Sequence, residues 1–246
     1  MTEIKAADDC PALVSCLWAR IMGYAAAIFD FGGVITESPF DAFNRLEEAC
    51  GLPRDTVRRI NTTNPDANAW ARIERAEIGR DAFDALFAEE AAALGFDLRG
   101  ADVLACLSGA LRPGMVAALD TIRRAGLKLG CITNNVAPAE SDHANPGMAA
   151  DPATALRFAP VFARFDHVIE SARAGVRKPD PRIYAMMCEA LEVSPEACVY
   201  LDDLGINCKP AAALGMAAIK VTGEAQALRD LSAILGLDLT ELKGSA

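Results

Sequence analysis

The sequence predicts an α/β protein: a Rossmann-like doubly wound parallel sheet, interrupted early by an all-helical insertion. Three observations carry that expectation. The apolar run Tyr24-Ala-Ala-Ala-Ile-Phe29 stops at Asp30 and is followed by Phe-Gly-Gly, as a strand buried on both faces does when it reaches a turn. After Pro113, short β-like segments alternate with helical patterns, which requires crossover connections and a sheet covered on both sides. Between Ser38 and Leu111 nothing has strand character.

Each element has its own signal. In Ser38-Pro39-Phe40-Asp41, Ser fits a helix N-cap and Pro the first helical position, and Phe40, Phe43 and Leu46 then recur on one face before Gly51. Helical patterning continues from Trp70 to Glu77 and through Phe83, Leu86, Phe87, Ala91 and Leu94, closed by Gly95. A helix over Met115–Ala125 ends at Gly126, and a strand follows from Leu127 to Thr133. Asp166–Glu170, Cys198–Leu201 and Ala217–Val221 read as strands, separated by helices at Pro181–Leu191, Asn207–Leu214 and Glu224–Leu235. The stretch Val136–Pro160, rich in Ala, Pro, Asp and Asn, reads as a mobile loop, with a functional lid as the alternative. The expected organisation is an N-terminal extension over 1–22 that need not be ordered, a core made of 23–37 and 112–246, and a helical insertion over 38–111.

Composition narrows the function. With 246 residues, 52% hydrophobic and 24% charged, the chain is globular rather than disordered. A net charge of −10 repels phosphate backbones and anionic lipid, so neither nucleic acid nor a membrane is expected as partner. The eight cysteines include no C-x-x-C pair and no Cys/His cluster, which points to reduced, idle thiols and away from zinc. Pro11–Ala19 is too short to cross a bilayer, and Asp8 and Asp9 stand where a signal peptide carries positive charge, so the expected location is cytoplasmic. His143 and His167 are the only histidines, one in the loop and one opening a strand, which argues against a Ser-His-Asp arrangement. No G-x-G-x-x-G or P-loop pattern occurs.

Ligands of open parallel sheets bind beyond the carboxyl ends of the strands. Those ends carry Asp30, then Thr133-Asn134-Asn135, then Asp202-Asp203, with Lys178 in an Arg-Lys-Pro-Asp-Pro turn. Singly, these are ordinary turn, loop and surface residues. Together, carboxylates, a hydroxyl and amides on one crevice suit a hard cation and a phosphoryl group, and oxygen donors without histidine favour magnesium over zinc.

At these residues the sequence resembles the haloacid dehalogenase superfamily. Phe29-Asp30-Phe31-Gly32-Gly33-Val34-Ile35-Thr36, Ile132-Thr133-Asn134-Asn135, Val176-Arg177-Lys178-Pro179-Asp180-Pro181 and Tyr200-Leu201-Asp202-Asp203-Leu204-Gly205-Ile206-Asn207 look like its four motifs, in order. The match covers about Tyr24 to Leu239. Val168–Val221 looks especially like the amino-terminal phosphatase domain of soluble epoxide hydrolase and the related domain attached to some acyl-CoA dehydrogenases. The helical insertion lies where that superfamily's C1-type cap does. The resemblance implies a hydrolase with Asp30 as nucleophile, forming an aspartyl-phosphate that water hydrolyses. It implies that Thr133 and the amide of Asn134 bind phosphoryl oxygens and that Lys178 offsets crowded negative charge. Mg²⁺ as cofactor would be held by Asp30, Asp202, Asp203 and the carbonyl of Gly32, and the implied substrate is a small phosphorylated metabolite.

One position departs from the pattern. Phosphatases of the superfamily usually carry a second Asp two residues after the nucleophile, to protonate the leaving oxygen and activate water, and here that position is Gly32. Three readings stay open: substrates with good leaving groups, a stand-in acid such as Thr36, Glu37 or a cap residue, or a catalytically weak binding or regulatory domain. A 2-haloacid dehalogenase, which also lacks the second Asp, ranks lower because Asp202-Asp203 would repel the substrate carboxylate. In the cap, Asn64, Asn68, Trp70, Arg72 and Arg75 are the polar or aromatic candidates for specificity, each equally readable as plain helix surface or core.

Overall fold

The segments Ala26–Phe29 and Cys198–Asp202 are apolar but for the final Asp and buried along their whole length, with no polar face to offer solvent, and they pair in parallel at the centre of the molecule. The computed structural model describes residues 23–107, 109–136 and 152–240. Strands β1 (Ala26–Phe29), β2 (Lys128–Thr133), β3 (His167–Glu170), β4 (Cys198–Asp202) and β5 (Ala217–Lys220) form one parallel sheet in the order β3-β2-β1-β4-β5. This is a doubly wound arrangement with β1 in the middle. Register does the positioning: Phe29 pairs with Cys131 on β2 and with Leu201 on β4, so Asp30 emerges level with Asp202 and beside Thr133.

The period of 2 along the strands sends alternate residues to two helical layers. Ala27, Phe29, Leu129, Cys131, Val199 and Leu201 pack against α6 (Pro113–Arg124), α7 (Pro152–Phe162) and α11 (Glu224–Leu235). Ala26, Ile28, Ile132, Cys198 and Tyr200 pack against α9 (Pro181–Leu191) and α10 (Gly205–Ala213), while the short α8 (Ser171–Ala174) follows β3 directly.

The insertion between Thr36 and Leu111, which meet in an isolated antiparallel bridge, contains helices α1 (Pro39–Ala49), α2 (Thr56–Thr62), α3 (Ala69–Glu74), α4 (Arg80–Ala93) and α5 (Gly100–Ala105). It has its own apolar cluster of Phe43, Val57, Ile60, Ile73, Phe83, Phe87 and Val103, with the Trp70 indole edge-on to Phe43 and Phe83. Glu47, buried, accepts from the amides of Asp55 and Val57 at 2.7 and 2.8 Å and so caps the start of α2. The expected helix over Trp70–Glu77 ends sooner, at Glu74, because Ala76 turns the chain at φ +54°.

The reading of Val136–Pro160 as a loop needs correction at its end. Residues 152–162 are helical, with Pro160 confined to the last turn, and residues 137–151, which include His143, lie outside the described residues. The N-terminal extension over 1–22 lies outside them too. Helix α7 exists because Phe158, Val161 and Phe162 share one face and close over the turn after β1. Phe31 is fully buried there, its ring stacked on Phe162 at 4.3 Å between centroids and edge-on to Phe158 at 5.0 Å. Truncating it should cost about 3–5 kcal/mol. Urea denaturation of Phe31→Ala checks this, and a loss under about 1 kcal/mol would mean that α7 repacks freely. Among the described residues no helix is long and apolar enough to cross a membrane.

Candidate active site

β1 ends in Asp30, and the chain immediately turns. The Phe31 amide donates to Asp30 Oδ1 at 2.7 Å, which fixes the carboxylate's direction. Gly33 sits at φ +77°, and a Cβ there would clash with the Asp203 carboxylate, so only glycine lets the turn pass so close to the second carboxylate. Ser38, the expected N-cap of α1, stands at that position but caps nothing with its side chain. Its hydroxyl donates to Asp203 Oδ2 at 3.0 Å instead.

Lys178 is the charge at the centre. It is 1% exposed, and its Nζ lies 2.8 Å from Asp30 Oδ1 and 2.8 Å from Asp202 Oδ2. Burial alone would push the ammonium down, but attraction to Asp202 and Asp30 outweighs it and holds Lys178 well above the ordinary lysine range. Asp30 is raised well above the usual carboxylate value, chiefly by burial, with Lys178 opposing and Asp202 and Asp203 adding to the rise. Asp203 is pushed up to about 6, first by burial and then by Asp202, against the pull of Ser38, Lys178 and Arg112. Ligand oxygens of Asp30, Asp202 and Asp203 lie within 4.8 Å of one another, three carboxylates against one ammonium.

Those carboxylates are not equivalent. Asp202 is fully buried, and both its oxygens are already engaged: Oδ1 by the Leu204 amide at 2.8 Å and Asn207 Nδ2 at 3.1 Å, Oδ2 by Lys178, the Tyr200 hydroxyl at 2.6 Å and Asn207 Nδ2 at 3.1 Å. Asp203 accepts from the Ser38 hydroxyl alone among the described residues. Asp202 therefore anchors Lys178, while Asp30 and Asp203 have coordination capacity to spare.

Thr133, at the end of β2, is buried with its Oγ1 lacking any hydrogen-bond partner among the described residues. A buried hydroxyl left so costs about 1–3 kcal/mol, the mark of a group kept for a ligand. The side chain of Asn134 clamps the backbone of Lys178, accepting from its amide at 2.8 Å and donating to its carbonyl at 3.0 Å. Asn135 ties the same loop to the end of β3 through Ser171 and Glu170.

The cap candidates have local tasks. Asn68 caps α3 by accepting from the Ala71 amide and donates to the carbonyls of Asn61 and Thr63. Asn64 turns the chain at φ +50°, Trp70 is cap core, Arg75 pairs with Glu77 at 2.6 Å, and Arg72 is 3.9 Å from that same Glu77. Of the stand-in acids, the Thr36 hydroxyl is buried and donates to the Phe31 and Glu37 carbonyls, and Glu37 is exposed, lining a cavity of about 550 Å³ with Arg45, Arg54 and Arg112. A cap acid that reaches the core is Glu74, whose Oε2 is 2.6 Å from Arg177 Nε and 3.4 Å from Asn134 Nδ2. No sequence signal singled it out. Tyr200 was findable, since a strand places residue i−2 on the same face as Asp202.

A family model described as haloacid dehalogenase-like hydrolase matches residues 24–215. Acyl-CoA dehydrogenase family member 10 of Mus musculus is 32% identical over 226 residues, covering 88% of this chain and 20% of that protein. Bifunctional epoxide hydrolase 2 of Sus scrofa is 30% identical over 231 residues, covering 89% and 40%. The chain thus spans a fifth to two fifths of these two relatives. Phosphatase MT3486 of Mycobacterium tuberculosis (strain CDC 1551 / Oshkosh) is 30% identical over 236 residues, covering 87% of this chain and 96% of that protein. Among solved structures, a Bacteroides thetaiotaomicron HAD family enzyme in complex with magnesium and inorganic phosphate superposes with a TM-score of 0.52 at 16% identity, covering 80% and 93%. The L-2-haloacid dehalogenase of Xanthobacter autotrophicus does so with 0.54 at 20% identity, covering 85% and 82%. At such identities the structures share the fold.

Proposed function

The chain belongs to the haloacid dehalogenase-like hydrolases, and from that premise we propose that it is a Mg²⁺-dependent phosphohydrolase acting on a small phosphorylated metabolite through an aspartyl-phosphate at Asp30. The observation that carries this reading is the unpartnered, buried Thr133 hydroxyl beside a carboxylate that a buried lysine holds in place. That is a nucleophile next to a vacant oxygen-binding donor.

Asp30 Oδ attacks phosphorus, forming the O–P bond as the ester P–O bond breaks and the leaving oxygen departs with its electron pair. Water then attacks phosphorus, releases phosphate and regenerates the carboxylate. Thr133 Oγ1 donates to a phosphoryl oxygen, and Lys178 lowers the repulsion between Asp30 and the incoming anion. Asp202, through Lys178 and the donors of Tyr200 and Asn207, keeps that ammonium in line.

A hard divalent cation fits the residues present. The donors are all oxygen, and three carboxylates against one ammonium leave an excess of negative charge in a buried place. Asp30, Asp203 and the Gly32 carbonyl would hold it, with Asp202 orienting the set. When bound, Mg²⁺ supplies the positive charge that lets a phosphate dianion approach the carboxylates. The same crowding weighs against the dehalogenase reading, whose anionic substrate would meet Asp203 with no cation to offset it.

The test is phosphate release from anomeric sugar phosphates, acyl phosphates, alkyl phosphates and an activated aryl phosphate, with Mg²⁺ and with chelator, beside halide release from 2-chloropropionate. We expect release with Mg²⁺, a fall of about 10²-fold or more in chelator, and recovery when the metal is restored. Halide release that persists in chelator would replace this reading with dehalogenation. No release of either product from the folded protein would leave a binding domain.

A further inference from the structure

Glu74 is a cap carboxylate placed in the core's business. It is 7% exposed, and its Oε1 accepts from the Trp70 indole at 2.9 Å, which fixes the side chain within the cap. Its Oε2 faces the core. Arg177 Nε lies 2.6 Å away with its N–H turned off the oxygen, an ionic contact rather than an aligned hydrogen bond, and Asn134 Nδ2 lies at 3.4 Å. The backbone of Glu74 is held as well, since its carbonyl accepts from Ser171 Oγ at 2.7 Å, and Ser171 Oγ accepts from the Asn135 amide at 3.0 Å. Arg177 also donates from Nη1 to the cap carbonyl of Pro65 at 3.0 Å.

Two side-chain links separate Glu74 from the ammonium at the centre of the site. Glu74 touches Asn134, and Asn134 grips both backbone polar groups of Lys178, whose Nζ bridges Asp30 and Asp202. Arg177, the residue before Lys178, is pulled by the same carboxylate. We infer that Glu74 is a positioning residue: the cap uses it to set the Asn134–Lys178 clamp, and with it the phosphoryl-binding geometry. The charge it carries matters because the core partner is a guanidinium, only 19% exposed in its side chain, for which Glu74 is the counter-ion.

This inference rests on the phosphohydrolase reading, so its test includes a readout that needs no turnover. Orthovanadate affinity, measured by calorimetry with Mg²⁺ present, is compared for the wild-type chain, Glu74→Gln, Arg177→Gln and the double variant. Arg177→Gln reaches the same contact from the core side, so a cap that fails to fold in one variant does not stop the comparison. Positioning predicts that each single variant binds vanadate about tenfold or more weakly, and that kcat falls by a similar factor with KM changed less. The double variant is then no worse than the weaker single one, because both break one contact. Variants that lower Tm but keep vanadate affinity and kcat would overturn the inference and leave the hydrolase reading intact. Wild-type protein that binds vanadate yet releases no phosphate would overturn the hydrolase reading, while the affinity ratio among variants still decides the role of Glu74.

Discussion

Asp30→Asn is expected to lower metal-dependent phosphate release on the order of 10⁵-fold, to the level of buffer, while the protein stays folded and melts no lower than wild type. The activity side follows from chemistry: an amide oxygen cannot accept the phosphoryl group and leave again as a carboxylate. The stability side follows from charge. Asp30 and Asp202 are buried and share one ammonium, with the half-buried Asp203 close by, and burial together with Asp202 and Asp203 disfavours the charged form of Asp30. Asparagine keeps an oxygen for the Phe31 amide and for Lys178, and Lys178 keeps Asp202 at 2.8 Å, so nothing buried is orphaned. The substitution removes repulsion and leaves the hydrogen bonds, the usual signature of a site built for function at a cost in stability. Residual release above about 1% would mean that another group attacks phosphorus. A large fall in Tm would mean that Asp30 is a structural counter-ion first.

What could be read from the sequence was whatever the strand period and the chain order determine. Apolar runs ending in Asp30, Thr133 and Asp202 gave three strands, and in a parallel sheet with crossovers their ends must share one edge, which the register of Phe29 with Cys131 and Leu201 delivers. Pro at the first helical position marked the starts of the helices at Pro39 and Pro181. Ends and partners were harder. Helix α7 reads as loop in the sequence because Pro152, Pro160 and many alanines hide its apolar face, although Phe158, Val161 and Phe162 stand at helical spacing. Glu74 could not be picked out, because its importance depends on how a separately packed helical cluster is seated on the sheet, and that angle is fixed by contacts between residues roughly sixty to a hundred apart in sequence. The cap polar residues that looked exposed to a ligand were claimed by nearer demands: Asn68 by the amide of Ala71, Arg75 by Glu77. Local hydrogen bonding wins when the partner is a few residues away and costs little entropy to reach.

The largest gain is expected from Gly32→Asp. In the family pattern a second aspartate two residues after the nucleophile protonates the leaving oxygen, and among the described residues nothing takes its place. Thr36 spends its hydroxyl on backbone carbonyls, Glu37 is exposed in another cavity, and Glu74 is held between Trp70 and Arg177. The backbone permits the change: Gly33 is the residue in the left-handed region, at φ +77°, and Gly32 is not. A general acid contributes roughly 10²–10⁴-fold to reactions whose leaving group needs a proton. Gly32→Asp should therefore raise kcat/KM by about that factor for alkyl phosphates, and hardly at all for an activated aryl phosphate or an acyl phosphate, whose leaving groups depart as stable anions. A fourth carboxylate beside Asp30 and Asp203 should at the same time lower Tm in metal-free buffer and restore it when Mg²⁺ is added, since the cation offsets the added charge. Rates on alkyl phosphates that do not move, in a protein that still binds vanadate, would mean that wild-type turnover was never limited by protonation. In that case the residue in place of the aspartate does not explain which phosphate esters the enzyme prefers.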